Sequence, residues 1–275
     1  SEFSFLSSIT DIFRLNGEEI INDIKLLNSQ NNNKNLVELT DSNIKSGKYP
    51  VYVEEGATIE NCFINSSDGP VYIGKNAHIM QGSMLRGPFA ICDNSVVKMG
   101  AKIYGATTIG PFCKVGGEIN NSVFFGYSSK AHDGFLGNSI IGQWCNLGAD
   151  TNNSNLKNNY DDVKIWNYSS ESFLQTGLQF CGLIMGDHSK CGINTMFNTG
   201  TVVGVGANIF GSGFPRNFIP SFSWGGSSGF IIHKLEKFFS TAEKVMKRRS
   251  IAFSDIDKLV LTQVYNMTKR YRNEK

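Results

Sequence analysis

Four histidines, His78, His132, His188 and His233, are the side chains of this sequence best suited to proton transfer near neutrality. His132 stands out by its setting, Ser129-Lys130-Ala131-His132-Asp133-Gly134-Phe135-Leu136-Gly137, which interrupts an otherwise regular pattern. A neutral imidazole there can take a proton from an incoming amine or hydroxyl. His78 and His188 follow Asn76 and Gly186 by two positions, inside the regular pattern, and read as turn or surface residues. The six cysteines, Cys62, Cys92, Cys113, Cys145, Cys181 and Cys191, include no Cys-x-x-Cys pair. They read as small core or turn residues in a reducing cytosol, and no metal site is expected. The basic run Lys247-Arg248-Arg249 reads as the solvated end of a helix, where cations suit the dipole.

Composition narrows the chemistry further. Lys and Arg number 26 against 24 Asp and Glu, a net charge of +2, which argues against a nucleic-acid binder working through a basic surface. A hydrophobic content of 40% is too high for a disordered chain. No apolar run approaches the roughly 20 residues that span a bilayer, so no membrane partner is expected. The opening Ser1-Glu2-Phe3 has no basic or apolar region of a signal peptide and reads as a cloning remnant before an excised fragment. The expected compartment is the cytoplasm.

The elements that position these residues are set by a repeat. Ile73, Ile79, Leu85, Ile91, Val97, Ile103, Ile109 and Val115 recur every six positions, preceded by Val53 and Ile59. Ile141, Leu147, Met185, Cys191, Phe197, Val203 and Ile209 continue the pattern later. Six is neither a helical nor a heptad period, and one strand of that length is implausible. A chain turning a corner every six residues satisfies it, with three sides closing a coil of about 18 residues. Coils then pair backbone to backbone, and stacked aliphatics fill the interior. Two stretches lose phase, Asn120 to Gly137 and Ala149 to Gly177. The second is polar and turn-rich, as a loop with work outside the core would be.

Both ends depart from the repeat. Residues 230–247 carry apolar residues at helical spacing, Phe230 and Ile231 among them. Ser254, with Asp257 three positions on, reads as the N-cap of another helix. The clusters at Ile9–Phe13 and Ile20–Ile24 predict short helices before an Asn-rich run from Asn28 to Asn35. The expected organisation is a helical remnant and linker over 1–49, a β-helix over 50–224 and a helical extension over 225–275.

Lys130-Ala131-His132, Phe135-Leu136-Gly137, Ile141-Gly142, Asn146-Leu147-Gly148-Ala149 and Asn155 resemble one family. It is the acetyltransferase half of the bifunctional bacterial glucosamine-1-phosphate acetyltransferase/N-acetylglucosamine-1-phosphate uridyltransferase. The resemblance runs from about residue 51 to about 220. It implies an all-β-dominated, single-stranded left-handed parallel β-helix that forms a homotrimer and takes acetyl-CoA as cosubstrate. His132 matches the catalytic base and Asn155 the contact to the acceptor amine. Lys98, Phe135, Asn146 and Lys157 fall on substrate-binding positions, Lys98 in place of an Arg and Phe135 in place of a Tyr. Ile193, Gly211 and Arg216 fall on the coenzyme-binding coils.

Some positions depart from the family. Lys114 stands where a Glu holds the histidine, with Glu118 the nearest acid, and extra residues are expected around Asn120. Gly116 replaces a phosphate-binding Lys, and Leu156 replaces a Tyr. Keeping the base and Asn contacts while losing a phosphate ligand implies a relative acting on a different sugar or acceptor; the expected acceptor class is an amino-sugar phosphate in sugar-nucleotide or cell-envelope biosynthesis. Ser139 to Asp150 also resembles a subgroup known as sugar nucleotidyltransferases. That opens an alternative, a non-catalytic trimerising half of a sugar-1-phosphate nucleotidyltransferase, beside a sugar-binding regulatory module.

Overall fold

The computed structural model describes residues 4–29, 37–41 and 44–272. The opening tripeptide and most of the Asn-rich run lie outside the described residues. The chain divides into two compact units, Ser1–Ile141 and Gly142–Lys275. Each winds as the expected left-handed parallel β-helix. Among the described residues, two α-helices belong to the first unit and two to the second.

In the first unit, one face stacks Val51–Val53, Val71–Ile73, Phe89–Ile91, Thr107–Ile109, Val123–Phe124 and Ile140–Ile141 in parallel. A second stacks Thr58–Ile59, His78–Ile79, Val96–Val97, Lys114–Val115 and Ser129–Lys130. The third runs from Lys45–Ser46 to Phe135–Gly137. Every member of the aliphatic series from Ile73 to Val115 is buried. A second six-step series lies two positions ahead of it and escaped the sequence reading: Ala77, Ser83, Phe89, Ser95, Ala101, Thr107 and Cys113, all buried. Its hydroxyls satisfy corner carbonyls, Ser83 donating to Lys98 at 3.0 Å and Ser95 to Gly110 at 2.7 Å. Small side chains predominate in this series, with Phe89 its one large member.

The stretch from Asn120 to Gly137 remains in the wall. It shortens the coil: Val123 pairs with Thr108, fifteen positions earlier, where Lys114 pairs with Val96 at eighteen. Helices α1 (Asp11–Arg14) and α2 (Asn16–Ser29) match the two apolar clusters. Asn16 anchors α2 to the coil, donating to the Ala106 carbonyl at 2.6 Å and accepting from the Thr108 hydroxyl at 2.7 Å.

In the second unit, Ile184–Met185, Val202–Val203 and Phe218–Ile219 form one face. Asn146–Leu147, Lys190–Cys191, Asn208–Ile209 and Ser223–Gly226 form another. The later out-of-phase stretch does leave the wall, after Asn152–Asn153, as an antiparallel hairpin of Lys164–Asn167 and Ser172–Gln175. The chain returns at Cys181, whose amide donates to the Asn155 carbonyl at 2.9 Å.

The C-terminal helix expected from residue 230 begins later. Phe230 and Ile231 lie in the strand Gly229–Ile232, antiparallel to Ser223–Gly226. An unpaired strand at the end of the stack offers a full row of hydrogen bonds, and these outweigh the helical spacing. Helix α3 is Leu235–Lys247 and α4 is Asp255–Met267. Ser254 caps α4 as expected, in a reciprocal box with Asp257. The basic residues Lys247 and Arg248 lie exposed at the end of α3.

Helix α3 docks through Phe238. A Cβ at Gly206 (φ +67°) would lie 2.9 Å from the Phe238 ring, so the ring fills the space a side chain would take. Phe238 packs edge-on to Phe222 at 5.0 Å, to His188 at 5.7 Å and to His233 at 5.8 Å. His188 does occupy a turn, at φ +59°, but it is buried rather than on the surface because α3 covers that corner.

Candidate active site

His132 follows the strand Ser129–Lys130, of which Lys130 is buried, at a corner of the first unit, and is itself exposed. The register of that face continues one step past its strands and sets Lys98, Gly116 and Ala131 side by side. Lys98 and His132 therefore reach the same corner two coils apart, roughly 10 Å at the usual strand spacing. Among the described residues, no hydrogen bond to the His132 ring occurs.

Between them lie two glycines, and both are needed for close approach. A Cβ at Gly116 would sit 2.6 Å from the Ala131 carbonyl oxygen and 3.1 Å from the Lys98 Cβ. One at Gly117 (φ +73°) would sit 2.9 Å from the His132 carbonyl oxygen. The backbone of Ala131–Gly134 thus rests directly on the preceding coil. From inside, the Lys130 ammonium donates to the carbonyls of His132 at 2.9 Å and Gly116 at 3.1 Å. The absence of a lysine at position 116 has a steric reason in this fold.

Phe135 stands on the adjoining face, opposite Glu118 in register. The Glu118 carboxylate accepts from the Tyr104 hydroxyl at 2.6 Å, which pushes that phenol up to about 12. Glu118 is thus engaged with Tyr104, and Lys114 lies exposed on the neighbouring face.

The remaining expected residues belong to the second unit. Ile193 and Gly211 occupy one corner a single coil apart, since Lys190 pairs with Asn208 and Cys191 with Ile209. Ile193 is 69% exposed, and Phe210, next to Gly211, packs edge-on against Trp224 at 5.5 Å. The segment beyond Gly211 carries Phe214 and Arg216, both exposed. An exposed apolar strip with a nearby cation suits a ligand with an apolar arm and an anionic group. Phe210 and Trp224 were not foreseen, although both fall near the repeat's outward positions.

Asn146 is exposed and pairs with Lys190. Asn155 is half-buried at the start of the loop that Leu156 bridges to Phe180. Lys157 donates to the Asp162 carbonyl at 2.6 Å and closes a turn of that loop. Among the described residues, no group of three or more His, Cys, Asp or Glu side chains could hold a metal ion. No helix among them is long and apolar enough to cross a membrane.

No family model matches this chain, and no curated protein matches it. Solved structures do. A hexapeptide transferase family protein from Anaplasma phagocytophilum is 17% identical, over 74% of this chain and 92% of that one, with a TM-score of 0.33. The polySia specific acetyltransferase NeuO is 16% identical, over 75% and 97% respectively, with a TM-score of 0.34. A mutant of AntD, an N-acyltransferase from Bacillus cereus in complex with dTDP-4-amino-4,6-dideoxyglucose and coenzyme A, is 14% identical. It is matched over 74% of this chain and 90% of its own, with a TM-score of 0.30.

Proposed function

We propose that this chain is an acyltransferase that moves acetyl from acetyl-CoA to the amine of an amino-sugar phosphate, with His132 as general base. The observation that carries this reading is an exposed imidazole on a corner held from both sides, with the Lys98 cation at the same corner. In the proposed reaction the acceptor nitrogen attacks the thioester carbonyl carbon. The imidazole takes the proton that the nitrogen loses. The C–S bond then breaks, and the departing thiolate takes up that proton as free thiol. Lys98 attracts the acceptor's phosphate. Having one ammonium rather than a guanidinium fork, it does so as a point charge. The resemblance assigns Asn155 to the acceptor amine, Asn146 to the sugar phosphate, and Ile193, Gly211 and Arg216 to the coenzyme. It also carries a homotrimer.

Release of free thiol from acetyl-CoA, measured across a panel of amino-sugar phosphates, tests the proposal. His132→Ala should lower turnover by roughly 10²–10⁴-fold, the usual contribution of a general base, with the fold intact. Undiminished turnover in that variant refutes the assignment. Calorimetry showing no acetyl-CoA binding would favour the scaffold of a nucleotidyltransferase instead.

A further inference from the structure

Lys130 occupies an interior position of the coil. The register places it in line with Ile79, Val97 and Val115, all fully buried, and Lys130 itself is 1% exposed. Packing does not call for an ammonium there, since each neighbouring coil fills the same position with an aliphatic side chain. A buried charge is costly to desolvate, and an apolar residue of similar volume is often at least as stable. The acceptors supply the reason. The ammonium donates to the carbonyls of Gly116 and His132, and so ties the peptide of the exposed corner residue to the coil interior.

We propose that Lys130 is the positioning residue of the candidate site, holding the His132 backbone so that its imidazole faces the acceptor. The inference rests on the reading of His132 as the base. Being enclosed at 1% exposure, Lys130 does not touch substrate and would act on the site through the His132 peptide. Its hydrogen bonds work against the same segment that Gly116 and Gly117 support from below. One residue lost from that clamp frees the peptide without opening the wall, because the strand Ser129–Lys130 keeps its ladder to Lys114–Val115.

The test is Lys130→Met in the full chain, which keeps the length of the side chain and removes its donors. Thermal stability should be unchanged or higher. Amide hydrogen exchange at residues 131–134 should rise by about tenfold while the flanking strands stay protected. Turnover should fall by roughly 10²-fold at unchanged KM for the acyl donor, the scale of a displaced catalytic group. If Lys130→Met does not fold, Lys130→Gln, which retains a neutral donor, should fold and show exchange at 131–134 between that of native protein and a freely opening segment. Unaltered exchange at 131–134 in the folded Met variant overturns the proposal. So does loss of protection throughout the coil in both variants, which would make Lys130 a structural residue. Absence of any transfer by native protein would count against the base assignment alone, since exchange and stability still decide what Lys130 holds.

Discussion

A carbonyl oxygen 2.6 Å from where a methyl would go leaves no room for one at Gly116. The obstacle is backbone, the Ala131 carbonyl, and it cannot swing aside as a side-chain tip would. Gly116→Ala should therefore cost roughly 1–3 kcal/mol, the usual range for overpacking a tight site. Thermal denaturation checks this, and an alanine variant as stable as native protein would mean the coils are further apart than described. The same geometry separates what was legible at this scale from what was not. His132 could be picked out because its motif carries a resemblance and breaks the six-residue period. The close approach at Gly116 was not legible, since its partner lies on the next coil, fifteen residues along the chain. Lys130 looked like one more motif residue because a sequence does not show which side of a wall a side chain enters.

At the level of elements, helix α3 rests on two buried imidazoles. Burial, and after it the Lys190 ammonium, push the His188 pKa down to about 4, with Asp257 on α4 opposing the shift. The His233 pKa is lowered chiefly by burial and also by Lys190 and Lys237, while its bond to the Gly206 carbonyl works the other way. In the unfolded chain the His188 imidazole takes a proton near pH 6.5, which the folded protein resists until about pH 4. Stability is therefore full above pH 6.5 and falls as the pH drops towards 4. The fall amounts to about 3 kcal/mol for His188 alone. Urea denaturation from pH 7.5 to 4.5 should show midpoints falling on the acid side. His188→Asn, which tolerates the left-handed backbone at this turn, should flatten that dependence. An unchanged slope in the variant would assign the acid sensitivity elsewhere. The contact itself was beyond sequence reasoning. Six-residue periodicity marks His188 as a turn, but covering that turn depends on Phe238, fifty residues away, finding the gap at Gly206.

On the scale of the whole molecule, a stack of parallel coils has a difficulty that no individual coil solves: its terminal strands present unpaired hydrogen-bonding groups, and its apolar interior lies open there. The second unit closes its C-terminal end with the antiparallel strand Gly229–Ile232 and with α3 and α4. Phe222, Phe238, Ala242 and Leu261 form a buried cluster there. Arg272 locks it, its guanidinium 4.1 Å from the centre of the Tyr265 ring and donating to the carbonyls of Tyr265 at 2.7 Å and Ser221 at 3.2 Å. That helices follow the repeat was legible from spacing; that they close the stack was not, because the surface they bury comes from residues 188–222. A chain ending at Lys234 keeps every coil but bares Phe222, the gap at Gly206 and the His188 ring. The truncated chain keeps 16 Lys and Arg against 19 Asp and Glu, a net charge of −3, so little electrostatic repulsion would keep such surfaces apart. Light scattering of the truncated protein should show aggregation at concentrations where the full chain remains dispersed. A truncated chain that stays dispersed and melts at the native temperature would show that the coils need no such cover, and that α3 and α4 serve some other purpose.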